Sequence, residues 1–86
     1  MAYEAKAVAN HFLDLAQDSR GTLSPMKIQK LVYFSHGWHL SINNGRPLID
    51  EAVQAWTYGP VIPSLYHEFK KYGNGPITSP ALSMEI

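Results

Sequence analysis

Two histidines, His36 and His39, stand three residues apart in the stretch from Ser24 to Ile42. On a helix that spacing leaves about 60° between them, an arc one metal ion can bridge. A metal centre needs more ligands. No Asp, Glu or third His takes a matching position on this stretch, and the His-Glu-x-x-His pattern of zinc hydrolases is missing. Ser24, Ser35, Ser41 and Ser64 stand beside the four histidines without a nucleophile–base signature or a Gly-x-Ser-x-Gly elbow. A small metal-dependent hydrolase built on His36, His39 or His67 is therefore the weakest reading. The chain reads as no enzyme, with no catalytic, cofactor-binding or metal-binding residue and no cofactor. His11, next to Phe12, reads as a surface histidine.

The stretch that carries His36 and His39, SPMKIQKLVYFSHGWHLSI, reads as one helix around which the others are organised. Ser24 can cap it with its hydroxyl, and Pro25 suits the first helical position because that amide has no intrahelical partner. Steps of 100° put Ile28, Leu31, Val32, Ser35, His39 and Ile42 on one face, flanked by Phe34 and Trp38 on one side and Tyr33 and Leu40 on the other. Only Lys30, Gly37 and Ser41 leave a narrow polar or small strip. A helix apolar on most sides is expected to have neighbours packed around it. On that reading Leu31 is structural, and Leu31→Ala or Trp38→Ala costs about 2–5 kcal/mol. His39 is expected to be buried and neutral, held by a Tyr hydroxyl or a backbone carbonyl of a neighbouring helix. Glycine costs about 1 kcal/mol inside a helix, so another backbone is expected against Gly37.

A first amphipathic helix is expected from Tyr3 to Gln17, with Val8, Phe12 and Leu15 inward and Gly21 after its end. Leu23 can staple the start of the second helix. Asn43, Asn44 and Gly45 stop that helix in a tight turn. Leu48 to Tyr58 reads as a turn followed by a short strand, which pairs with Arg46–Ile49 or with another chain. Gly59 and Pro60 break this segment and are structural. A third helix runs from Pro63 to Tyr72, with Leu65, Tyr66 and Phe69 inward. Residues 77–86 form an extended tail. The fold class is mainly α: a small helical bundle around a central apolar helix, with one short extended segment or hairpin.

At 86 residues the chain makes one small domain. Such a domain buries only about 60% of its unfolded surface, so it gains from a partner chain. Seven basic and seven acidic residues cancel. That balance argues against nucleic-acid binding through the phosphate backbone. Lys27, Lys30, Lys70 and Lys71 read first as solvated helix surface balanced by Asp50 and Glu68. The absence of cysteine excludes disulfides and thiolate metal sites and fits a cytoplasmic protein. The opening MAYEAKAVAN contains an acid and no long apolar core, so it does not read as a signal peptide. No run of about 18 apolar residues offers a membrane span.

Two blocks carry a resemblance. One is Lys27-x-x-Lys30-Leu31-x-Tyr33-Phe34 running into Gly37-Trp38-His39-Leu40. The other is Ala55-Trp56-x-Tyr58-Gly59-Pro60-Val61, closing with Leu65-Tyr66 and Phe69. In order and separation they resemble the N-terminal part of the Panacea domain family, which includes SocA-like antitoxins and phage-associated proteins. The resemblance implies a mostly helical, non-catalytic module that acts by protein–protein contact. Its implied role is antitoxin-like: sequestering a toxin of a toxin–antitoxin system or handing it to a protease. An alternative is a phage-encoded inhibitor of a host defence protein. The partner-binding residues expected on this reading are Lys30, Tyr33, Gly37, Trp38, Trp56, Tyr58, Tyr66 and Lys70, with Ser24, Leu31, His39, Gly59 and Pro60 as structural supports. Family members usually continue with further helices beyond the position of Ile77. The expectation is therefore a Panacea-like domain over residues 1–86, shortened at its C-terminus, whose bare apolar face is covered by a toxin, a host protein or a second copy in a homodimer.

Overall fold

The computed structural model describes residues 2–57 and 59–82. Helix α1 spans Ala5–Asp18 and helix α2 spans Pro25–Ile42. The strands β1 (Gln54–Trp56) and β2 (Gly59–Val61) follow, then helix α3 (Pro63–Phe69) and a 3₁₀ turn over Lys70–Tyr72. The mainly helical class with a hairpin is as expected.

Local chemistry sets most of these boundaries. The Ser24 hydroxyl accepts from the Lys27 amide at 3.3 Å, and Pro25 opens α2. Asn44 and Gly45 turn the chain after α2 with φ of 56° and 82°, values at which Asn and Gly are least strained. Pro63 opens α3 as Pro25 opens α2.

The hairpin corrects one expectation. β1 pairs with β2 in antiparallel register, Gln54 with Val61, Ala55 with Pro60 and Trp56 with Gly59, so its partner is neither Arg46–Ile49 nor another chain. Gly59 and Pro60 do not break the segment; they belong to β2. A proline is tolerated where a strand has an unpaired edge, and Gly59 takes φ of 121°, which L side chains rarely adopt. The region before β1 pairs instead with the N-terminal segment. Tyr3 donates to the Leu48 carbonyl at 2.9 Å, and Asp50 donates back to the Tyr3 carbonyl at 3.0 Å.

The core joins Ala5 and Ala9 of α1, Ile28 and Val32 of α2, and Leu65 and Phe69 of α3. Ile49, Ile62, Ile77 and Ala81 complete it from the connecting segments. Leu15, expected inward, is about half exposed. The small side chains of Ala5 and Ala9 let α1 sit close, with Val8, Phe12 and Leu13 at the margin. Within the tail, the Asn10 side chain donates to the Ala81 carbonyl at 2.9 Å and accepts from the Ala81 amide at 2.6 Å. Residues 83–86 of the expected tail lie outside the described residues.

Helix α2 packs against α1, α3 and β2, but one side of it is bare. Ile28 and Val32 are fully buried, while Leu31, Ser35, His36 and His39 are half-buried. Trp38 is 69% exposed and Phe34 is 66% exposed. Trp38 is therefore no core residue. Its direction lies about 100° from the middle of the buried face, too far round to meet α1 or α3.

Candidate partner-binding groove

The bare side of α2, the hairpin and the end of α3 enclose an open groove of about 1060 Å³. Lys30 and Tyr33 come from α2, Trp56 from β1, and Tyr66 and Lys70 from α3 and the turn after it. Residues far apart in the chain and expected to meet a partner thus share one concavity. Pro25, Met26, Phe34 and Pro60 also line it. A shallower depression of about 440 Å³ continues across Tyr33, Val53 and Gln54.

The remaining expected residues distribute differently. Trp38 and Gly37 lie further along α2 and do not line the groove. Among the described residues, no backbone from outside its own helical turns approaches Gly37: none stands within 4 Å of where its Cβ would be. This glycine sits in open space between exposed aromatics, so close packing within the described chain is not the reason for it. Tyr58 lies outside the described residues.

The groove keeps its shape through contacts that spacing alone does not reveal. Trp56 meets Tyr66 edge to face, ring centroids 4.9 Å apart, which fastens the hairpin to α3. The Trp56 indole N–H donates to the Gln54 side-chain carbonyl at 2.9 Å. Gln29, on the groove floor, binds both backbone groups of Ile62 and ties α2 to the junction between β2 and α3. Glu51 performs a similar task outside the groove. It accepts from the Ala5 amide at 2.7 Å, capping α1 from a distance, and accepts the Ser64 hydroxyl with its other oxygen. Ser64 is thereby committed to joining segments.

The histidines also serve the scaffold. His36 Nδ1 accepts from the amides of Leu48 and Ile49 at 3.3 and 3.4 Å. Burial, and secondarily the neighbouring His39, hold the His36 imidazole below its ordinary pKa. His39 is half-buried rather than fully buried. Its Nδ1 meets the Arg46 carbonyl at 2.9 Å, a partner from the loop after its own helix and not from a neighbouring helix. Among the described residues, no three His, Asp or Glu side chains gather as a metal set.

Comparison with known proteins places this sequence in a family. The description "Antitoxin SocA-like, Panacea domain" matches residues 28–84. The chain belongs to that family. The matched span takes in nearly all of α2, the hairpin and α3, the elements that build the groove, and begins after α1. Antitoxin SocA of Caulobacter vibrioides (strain NA1000 / CB15N) is 40% identical over 83 residues, covering 96% of this chain and 44% of that protein. The chain thus spans less than half the length of that curated relative. No solved structure matches it. No described helix of this Panacea domain is long and apolar enough to cross a membrane.

Proposed function

We infer that this chain is a non-catalytic protein-binding module with an antitoxin-like role. It binds a toxin and either sequesters it or hands it to a protease. The observation that carries the reading is the aromatic groove between α2, the hairpin and α3, built by the part of the chain that matches the Panacea family. Likeness to a protein named Antitoxin SocA supports the choice of toxin as partner. Interfaces gain most from aromatic anchors in partly enclosed pockets, and Tyr33, Trp56 and Tyr66 supply such surfaces. The reading places this action in the cytoplasm, in keeping with a chain that has no cysteine. Exposed Trp38 and Ile42 on α2 extend the apolar surface beyond the groove, for the same partner or for a second copy.

The test is co-expression with the products of neighbouring genes. One of them is expected to arrest growth alone, to co-purify with this chain and to be relieved by it. If no neighbouring product both binds and is relieved, the reading falls. Adding protease-deficient hosts separates the two modes: handover loses its rescue there, and sequestration keeps it.

A further inference from the structure

We propose that the groove between α2, the hairpin and α3 docks an acidic segment of a partner protein, anchored by an aromatic or aliphatic side chain and flanked by carboxylates that meet Lys30 and Lys70. The choice of a protein as partner rests on the function inferred above. The choice of its chemistry rests on charge.

The chain as a whole is neutral, yet its groove is not. Two lysines and no acidic residue line it, although acidic and basic residues are equal in number overall. Lys30 and Lys70 stand on its two helical walls, and neither has a carboxylate partner among the described residues. The ion pair between Lys6 and Glu68, at 3.2 Å, lies elsewhere. Pro25 and Met26 put the start of α2 at the same groove, where the positive end of the helix dipole adds to the attraction. Between the lysines the surface is aromatic and apolar: Met26 is 62% exposed, and Phe34, Tyr66 and Trp56 also stand open to solvent. A segment with an apolar anchor and acidic flanks satisfies both features at once.

A single-stranded nucleic acid also combines stacking faces with negative charge. It is disfavoured here. Such binding draws its strength from many neutralised phosphates, and two lysines on a neutral chain supply few.

The test needs no knowledge of the natural partner. Short random peptides displayed on phage are selected against the immobilised chain. Enrichment of Asp and Glu beside Trp, Phe or Leu is expected. Synthetic copies of the selected peptides should bind more weakly as salt rises. They should lose about 10- to 100-fold in affinity to the Lys30→Glu/Lys70→Glu variant, the scale of close interfacial charge pairs. The Lys27→Glu/Lys71→Glu variant makes the same charge change outside the groove and should bind within about 3-fold of wild type. All four lysines are exposed, and thermal melting confirms that each variant folds. Failure to enrich any peptide, enrichment without acidic residues, or equal loss in both variants overturns the proposal. So does a labelled oligothymidylate that binds wild type and is lost in the groove variant, or a self-association that only the groove variant abolishes. The two readings fail separately. A positive selection without growth rescue removes the toxin alone, and a rescued toxin whose binding ignores the Lys30/Lys70 exchange removes the groove alone.

Discussion

Gln29 engages both backbone groups of Ile62. Its Oε1 accepts from the Ile62 amide at 2.9 Å, and its Nε2 donates to the Ile62 carbonyl at 3.0 Å. Ile62 is fully buried and caps α3, so its peptide lies where the strand ladder has ended and the helix has not begun. The carbonyl has other partners, accepting from Leu65 and Tyr66 at 3.1 and 3.2 Å. The amide relies on Gln29. Gln29→Met keeps the length of the side chain and removes its acceptor. It should cost about 1–3 kcal/mol, the penalty of a buried donor left unmet. For a domain of this size that is a fall in Tm of at least about 4 °C. A Gln29→Met variant that melts like wild type would show that the amide contributes no net stability.

The core has its weight in α3 and not in the tryptophan of α2. Phe69, 1% exposed, is the largest fully buried side chain, while Trp38 is 69% exposed. Phe69→Ala should cost about 3–5 kcal/mol, a large share of the stability of so small a domain. Trp38→Ala should change stability by no more than about 0.5 kcal/mol in the isolated chain. Urea titration of the two variants measures the contrast. A Trp38→Ala loss comparable to that of Phe69→Ala would mean that Trp38 is covered in solution, by a second copy or another segment.

Sequence alone revealed what is governed by neighbours along the chain. Ser24 and Pro25 start α2, Asn44 and Gly45 end it, and Pro63 starts α3, because capping and turn chemistry act over three or four residues. The two family blocks contain Lys30, Tyr33, Trp56 and Tyr66, with Lys70 directly after the second, but their common groove depends on how α2 and α3 cross. Gln29 left no local trace, since a glutamine between Ile28 and Lys30 looks like any helix-surface residue. Trp38 was misplaced for a related reason. Periodicity says which residues share a face, but not how much of that face is covered, and the cover on α2 stops short of Trp38. The innermost contacts from α1 come from Ala5 and Ala9, two small residues that the pattern of large apolar side chains does not single out.

Asn10 holds the chain's last described segment against α1 by two bonds to Ala81. Asn10→Asp keeps an acceptor for the Ala81 amide and loses the donor to its carbonyl, whereas Asn10→Leu loses both. Ala81 should exchange its amide hydrogen fastest in Asn10→Leu, with Asn10→Asp between that variant and wild type. The expected cost of Asn10→Leu is about 1–2 kcal/mol. Unchanged protection of Ala81 in both variants would show that the burial of Ile77 and Ala81, without the side-chain bonds, keeps the segment in place.

His36 makes the stability of the fold depend on pH. Its Nδ1 accepts two backbone amides, so the neutral ring carries its proton on Nε2, and a second proton on Nδ1 would face two donors. Burial first, and His39 second, lower its pKa from the ordinary 6.5. The unfolded chain therefore takes up this proton at a higher pH than the folded one, and stability rises with pH across the interval between the two values. The contribution is complete above about 6.5 and is lost as pH falls from there through the lowered folded value. His36→Gln keeps an acceptor within reach of Leu48 and Ile49 and cannot titrate. Melting curves at a series of pH values should show wild type losing Tm below pH 6.5 more steeply than His36→Gln, with the curves running parallel above it. Parallel curves throughout would place the imidazole in the same protonation equilibrium folded and unfolded, and the two amide contacts would then contribute nothing that a proton can remove.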